Sequence, residues 1–128
     1  MVVLPDTDTT LTVEAHCGRT LILPDATGTR TYTLPTPSPG LRIRVLQLAQ
    51  DAQTIIIRGV DDTIFLEGTI THHDTNADGA TADNVAVAGN GTSHDHFSWA
   101  DGNCADLEFI GKSSTVWYVT GAVTGISA

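Results

Sequence analysis

With 128 residues the chain has the length of one domain, and a domain of that size buries only a modest core when it stands alone. Its 41% hydrophobic content argues against global disorder, and a formal charge of −9, from six Lys and Arg against fifteen Asp and Glu, repels the phosphate backbone that nucleic-acid binding relies on. No apolar run is long enough to cross a bilayer, and MVVLPDTDTT lacks the basic start and the apolar length of a signal peptide, so neither nucleic acid nor membrane is an expected partner.

The first ten residues are polar after Val2, Val3 and Leu4 and carry Pro5, which predicts an N-terminal arm (1–10) ahead of one β domain (11–128). Leu11, Val13 and Ala15 alternate with Thr12 and Glu14 and predict a first strand, turned by Gly18. Thr20 to Leu23 predicts a second, stopped by Pro24, with DATGTR as the turn that follows. From Tyr32 to Leu48 the chain reads as strand, stiff turn and strand. Pro35, Pro37 and Pro39 fix three φ angles, Gly40 releases the chain, and Leu41, Ile43 and Val45 alternate with Arg42 and Arg44. The alternation then fails, because Leu46 and Leu48 are apolar where the polar face should continue.

Thr54 to Arg58 holds Ile55, Ile56 and Ile57 in succession, which β-branching assigns to a strand apolar on both sides. Two such strands need two covers, so Leu46, Leu48, Ile55, Ile56 and Ile57 are candidate interface residues. Val2, Val3 and Leu4 join them as a segment suited to strand addition. Ile64 to Ile70 predicts a further strand with a bulge or bend at Gly68. Residues 71–106 form a long polar insertion rich in His, Asp, Asn and Gly, expected to contain a hairpin with Val85 and Val87 on one arm and Phe97 and Trp99 on the other. Leu107 to Ile110 and Thr115 to Val119 close the domain around the turn GKSS. No segment has apolar residues at helical spacing, so helix content should be very low.

Three patterns bear on chemistry. Asp74, Asn76, Asp78 and Gly79 match the start of a calcium loop, but position twelve is Val85 instead of Glu, and the same residue types are ordinary turn formers. His94 and His96 would share one side of a strand at about 7 Å spacing. A single chain then supplies too few ligands, whereas three copies on an axis would supply six imidazole nitrogens; as exposed polar residues of a hairpin the two histidines need no metal at all. GNGTSHDH resembles the first cupin motif, yet no histidine follows His96 to complete the second. Cys17, Cys104 and the serines sit in no nucleophile elbow, and GKSS lacks the upstream glycine of a phosphate loop. No catalytic site or cofactor is expected, beyond a structural metal ion at most. In a chain without a secretion signal the two cysteines are expected as reduced thiols.

The succession YTLP, a proline-bearing turn, LRIRV, TIIIRG and finally VWYV resembles the small trimeric β-modules of tailed-phage virions, both capsid decoration (cement) proteins and tail-fibre or spike domains. The resemblance covers most of the chain outside residues 71–106. It implies an all-β, small sandwich or barrel-like (β-tulip-like) domain assembled as a homotrimer. It also implies a virion protein made in the host cytoplasm, which clamps the major capsid protein at threefold or quasi-threefold positions of the outer shell. A chain that starts with its own Met and is one small domain favours the decoration protein; the His94/His96 pair favours a metal-binding fibre or spike tip or receptor-binding module.

Overall fold

The computed structural model describes residues 1–47, 53–74, 84–92, 94–99 and 104–125. They form two mixed β-sheets packed face to face, with one four-residue helix, so the all-β sandwich expectation holds. The strands are β1 (Val2–Val3), β2 (Thr9–Thr10), β3 (Thr20–Leu23), β4 (Arg30–Thr33), β5 (Arg42–Gln47), β6 (Ile55–Arg58), β7 (Phe65–Asp74), β8 (Asn84–Asn90), β9 (His96–Trp99), β10 (Cys104–Gly111) and β11 (Val116–Gly125), with α1 at Val13–His16. The larger sheet has the order β1-β3-β5-β10-β11-β7-β8 and the smaller β2-β4-β6-β9.

The first six strands alternate between the sheets. β1, β3 and β5 are parallel neighbours in the larger sheet, and β2, β4 and β6 are parallel neighbours in the smaller one. The chain therefore winds three times around one core, stacking three rungs: Val2 lies beside Leu21 and Leu21 beside Val45, while Thr9 lies beside Tyr32 and Tyr32 beside Ile57. A short motif repeats with this winding. Val3-Leu4-Pro5-Asp6 and Ile22-Leu23-Pro24-Asp25 are matched in register at Val3 and Ile22, and Leu4 and Leu23 are both buried. In each copy proline ends the strand, because it can neither donate to a ladder nor leave its fixed φ.

Residues 1–11 are thus the first rung. The Leu4 amide donates to the Ile22 carbonyl (2.9 Å), the Leu11 amide donates to the Thr33 carbonyl (2.8 Å), and both leucines are buried. A polar latch fastens this rung to the second. Asp6 accepts from Arg30 Nε (2.7 Å), from Thr27 Oγ1 (2.8 Å) and from the Thr27 amide, and Asp8 accepts from the Thr31 amide (2.9 Å). Tyr32 donates its buried hydroxyl to the Pro5 carbonyl (2.9 Å), and burial, followed by the nearby Asp6 carboxylate, pushes that phenol up to about 12.

Four local expectations are corrected. Leu11 to Ala15 is not a strand: Thr12 caps α1, its Oγ1 accepting from the Ala15 amide (3.3 Å), while its own amide donates to His16 Nδ1 (2.8 Å). Local capping bonds outweigh the alternation because Val13 and Ala15 have no core to enter. Tyr32 to Leu48 is not a hairpin, since β4 and β5 belong to different sheets and the proline segment carries the chain from one to the other. That crossing is pinned on the end of the β10–β11 hairpin: buried Trp117 donates Nε1 to the Pro35 carbonyl (3.0 Å), the Gly40 amide donates to the Gly111 carbonyl (3.0 Å), and the Gly111 amide donates to the Leu41 carbonyl (2.7 Å). Val85 and Val87 do not pair with Phe97 and Trp99 either. β8 pairs with β7, and β9 crosses to pair with β6. The strand expected to bulge or bend at Gly68 instead runs through it in unbroken register with β8 and β11; Gly68 itself takes a φ of +126°, with the position of a Cβ only 2.1 Å from the Val119 carbonyl oxygen.

Between the sheets, Tyr32, Leu34, Ile55, Ile57 and Trp99 face Leu21, Ile43, Val45, Leu107, Phe109, Trp117 and Val119. Among the described residues, Gln47 is the one buried residue with a polar amide side chain in this core. Gln47 is 2% exposed, and its Oε1 accepts the indole Nε1–H of buried Trp99 across the sheets.

Two predictions follow from the packing. Gln47→Ala strands the Trp99 indole N–H without an acceptor and should cost about 1–3 kcal/mol in urea unfolding. Pairing it with Trp99→Phe, which removes the stranded donor, should recover part of the loss; an additive loss would show that the bond contributes nothing. Arg30 and Thr27 hold the Asp6 carboxyl below its ordinary value, so the unfolded chain binds protons there first. The stability this confers is complete above the unfolded value and is lost as pH falls through the folded one. Asp6→Asn should therefore flatten the acid limb of a stability–pH curve while leaving its neutral slope alone.

Candidate functional site

Strand alternation sends Ile43, Val45 and Gln47 of β5 and Ala105, Leu107 and Phe109 of β10 inward, which leaves Arg42, Arg44 and Leu46 beside Asp106, Glu108 and Ile110 on the outer side of the larger sheet. The two strands are antiparallel, so the residue types meet on diagonals. Arg44 donates Nε and Nη2 to the two oxygens of Asp106 (3.0 and 2.8 Å), and Arg42 donates Nη1 to Glu108. On the far side of the same face Lys112 pairs with Glu67. Arg44 holds the Asp106 carboxyl below its ordinary value, and Asp106 raises the Arg44 guanidinium in return.

These three pairs give the described outer side chains of the sheet no net charge, on a chain whose total is −9. Apolar residues lie next to them. Val3, Ile22 and Leu46 sit side by side across β1, β3 and β5, with Val3 72% exposed, and the row runs on through Asp106 to Ala122. Tyr118 stands 41% exposed on β11 beside Ile110. Two shallow depressions of about 380 and 390 Å³ share Arg44, Asp106 and Ala122 as walls; Gly121 also lines the first, and Leu46 the second. The close approach of β11 to β10 there needs a glycine: the Gly121 φ is +134°, and a Cβ would stand 2.1 Å from the Asp106 carbonyl oxygen.

The residues singled out in the sequence fall in several places. Leu46 is half-buried on this face, and Leu48 lies outside the described residues. Ile55 and Ile57 are fully buried and belong to the chain's own core, so the two-sided wall expected there reduces to Ile56. Ile56 is half-buried on the outer side of the smaller sheet between Thr31 and Ser98, a polar neighbourhood. Leu4 is likewise consumed by the core, Val2 packs against it, and only Val3 projects. His94 precedes β9 and His96 begins it; both are exposed, and His96 Nδ1 lies 2.8 Å from Asp95 Oδ1. Asp74 ends β7, while Asn76 and Asp78 lie outside the described residues. Among the described residues no three His, Cys, Asp or Glu side chains gather as a metal site. Cys17 and Cys104 are half-buried thiols, and burial, then the charge of Glu14, pushes the Cys17 thiol up.

Arg42, Arg44, Asp106 and Glu108 were not among the expected site residues. The signal was present as two alternating runs, LRIRV and ADLEF, but each alone reads as a strand with a solvated face, and only the strand order makes them complementary neighbours. Compared with protein-family models, with curated proteins and with solved structures, the chain matches none at a significant level.

The ion pairs are exposed and should contribute little to folding. Arg42→Gln and Arg44→Gln are each expected to move stability by no more than about 0.5 kcal/mol in denaturant unfolding. A larger loss would assign these residues to holding the sheet together.

Proposed function

We propose that the chain is a structural, non-enzymatic module of a tailed-phage particle: a capsid decoration (cement) protein, assembled as a homotrimer, that binds the major capsid protein at threefold or quasi-threefold positions and stabilises the head. The observation that carries this reading is the outer face of the larger sheet, which is partly apolar and whose described charges cancel in pairs. A chain that repels most acidic partners through its net charge keeps one surface where another protein can approach without that penalty. A flat sheet face with exposed Val3 and Tyr118 suits added interface area, which is how a cement protein would resist internal pressure. The order of the YTLP, LRIRV, TIIIRG and VWYV segments supports the same class of module.

A second reading, a tail-fibre or spike module, is favoured by the three parallel rungs. Stacked rungs are the unit from which extended β-solenoids are built, each contacting only its neighbours. The test is to add the purified protein to emptied heads that lack it. Co-sedimentation and a higher melting temperature of the heads are expected; no binding to heads together with binding to tails would overturn the cement reading in favour of the second.

A further inference from the structure

The winding is closed at one end and open at the other. At the third rung β5 is covered by β10 and β6 by β9, both antiparallel. At the first rung β1 pairs only with β3 and β2 only with β4, so both sheets end there at the same level. The Leu4 amide donates to Ile22 and the Leu11 amide to Thr33, and in a parallel ladder this phase turns the N–H and C=O of Val3 and of Thr10 away from the second rung. Both residues are exposed, and among the described residues these four backbone groups have no partner. The first rung thereby repeats the surface on which it sits. Ile22 and Thr33 are the residues of the second rung that receive it, and Val3 and Thr10 are their register partners one rung on. Met1, Val3 and Val13, on this rung or on α1 directly after it, are exposed apolar side chains.

We infer that this open rung is an acceptor for one further rung of a partner protein: two short strands, parallel to β1 and β2, whose amides and carbonyls pair with Val3 and Thr10. Strand addition of this kind takes its affinity from main-chain bonds and its selectivity from neighbouring side chains. The neighbouring side chains here are acidic. Asp8 spends Oδ1 on the Thr31 amide and stays exposed, Asp6 lies two residues before it, and a strand added beside β2 would run about 4.8 Å away. The occupant is therefore a cation-bearing segment, with Lys or Arg at the position that Thr31 holds in the second rung. A second copy of the chain is a poor occupant, since it would set Asp6 and Asp8 against the same carboxylates, and the total charge of −9 adds to the repulsion. The inference does not depend on the cement reading, because the added strands lie at the sheet edges and leave the outer face of the larger sheet open.

Amide hydrogen exchange of the full chain tests this, with a synthetic peptide of residues 19–35, the chain's own second rung, as the probe in two forms, Thr31→Lys and Thr31→Glu. Without peptide, the Val3 and Thr10 amides should exchange freely while those of Leu4 and Leu11 are protected. The Thr31→Lys peptide should slow Val3 and Thr10 together, with Leu4 and Leu11 still protected. It should also bind more tightly than the Thr31→Glu form, by a margin that shrinks as salt is added. Val3→Pro removes a donor that points away from the chain's own ladder, so the protein should stay folded by circular dichroism and lose about two- to tenfold in peptide affinity, the value of one hydrogen bond. Thr10→Pro makes the same test at the other edge if Val3→Pro does not fold. No slowing at millimolar peptide, loss of Leu4 protection on adding it, equal binding of the two peptides, or an unchanged affinity in the folded proline variant overturns the inference. Slowing of Val3 and Thr10 by raised protein concentration alone overturns it too, in favour of a second copy at the edge.

Discussion

The structure depends on one constraint: the first six strands pair with strands a full winding away, β5 and β6 also with the later β10 and β9, and never with the strand next in sequence. A strand that crosses to the other sheet after each pass cannot form a hairpin, so its donors and acceptors wait for the next rung. Correct winding is therefore selected by the side chains that enter the shared core. Leu4, Leu21, Leu23, Tyr32, Ile43, Val45, Ile55 and Ile57 supply that selection, because a slip of one residue would turn an entire strand's apolar set outward. The hydrogen bond between Trp99 and Gln47 adds directionality, tying β9 of one sheet to the last residue of β5 in the other.

The prolines make sense within the same constraint. A crossing segment leaves one sheet and must not pair with it further, and residues without an amide donor cannot extend the ladder. Pro5 and Pro24 end the outgoing strands, and Pro35, Pro37 and Pro39 stiffen the crossing from β4 to β5. Their carbonyls still need partners, which Tyr32 and Trp117 provide at Pro5 and Pro35 from within the core. The two aromatic side chains with polar tips thus serve both packing and the satisfaction of buried backbone.

Around this frame the charge distribution is uneven. Asp6 and Asp8 fasten rungs together, and the paired charges on β5 and β10 leave the larger sheet with a side on which the acidic character of the chain is cancelled. Exposed pairs of this kind add little to folding, since solvent screens them and long side chains lose freedom in forming them. Their placement matters more for approach and register between proteins than for the stability of the single chain.

Much of the fold was legible from residues alone. The alternation in LRIRV, the β-branched run at Ile55 to Ile57 and the closing pair around GKSS each state a local preference that the core then rewards. The repeated Val-Leu-Pro-Asp and Ile-Leu-Pro-Asp segments even carried the winding, although a four-residue repeat signals it only faintly. What the residues could not decide was which strands are neighbours. Tyr32 to Leu48 has the look of a hairpin and is a crossing, and Phe97 and Trp99 return to the other sheet from the one that holds Val85 and Val87. The candidate face depends on that same choice, since Arg44 and Asp106 lie 62 residues apart in the chain. Periodicity, proline and β-branching are local properties, and they determined that this chain is built of strands and where those strands stop. Pairing and the outward-facing charge complement arise only when distant segments bury a common core, so the tertiary structure alone decided them.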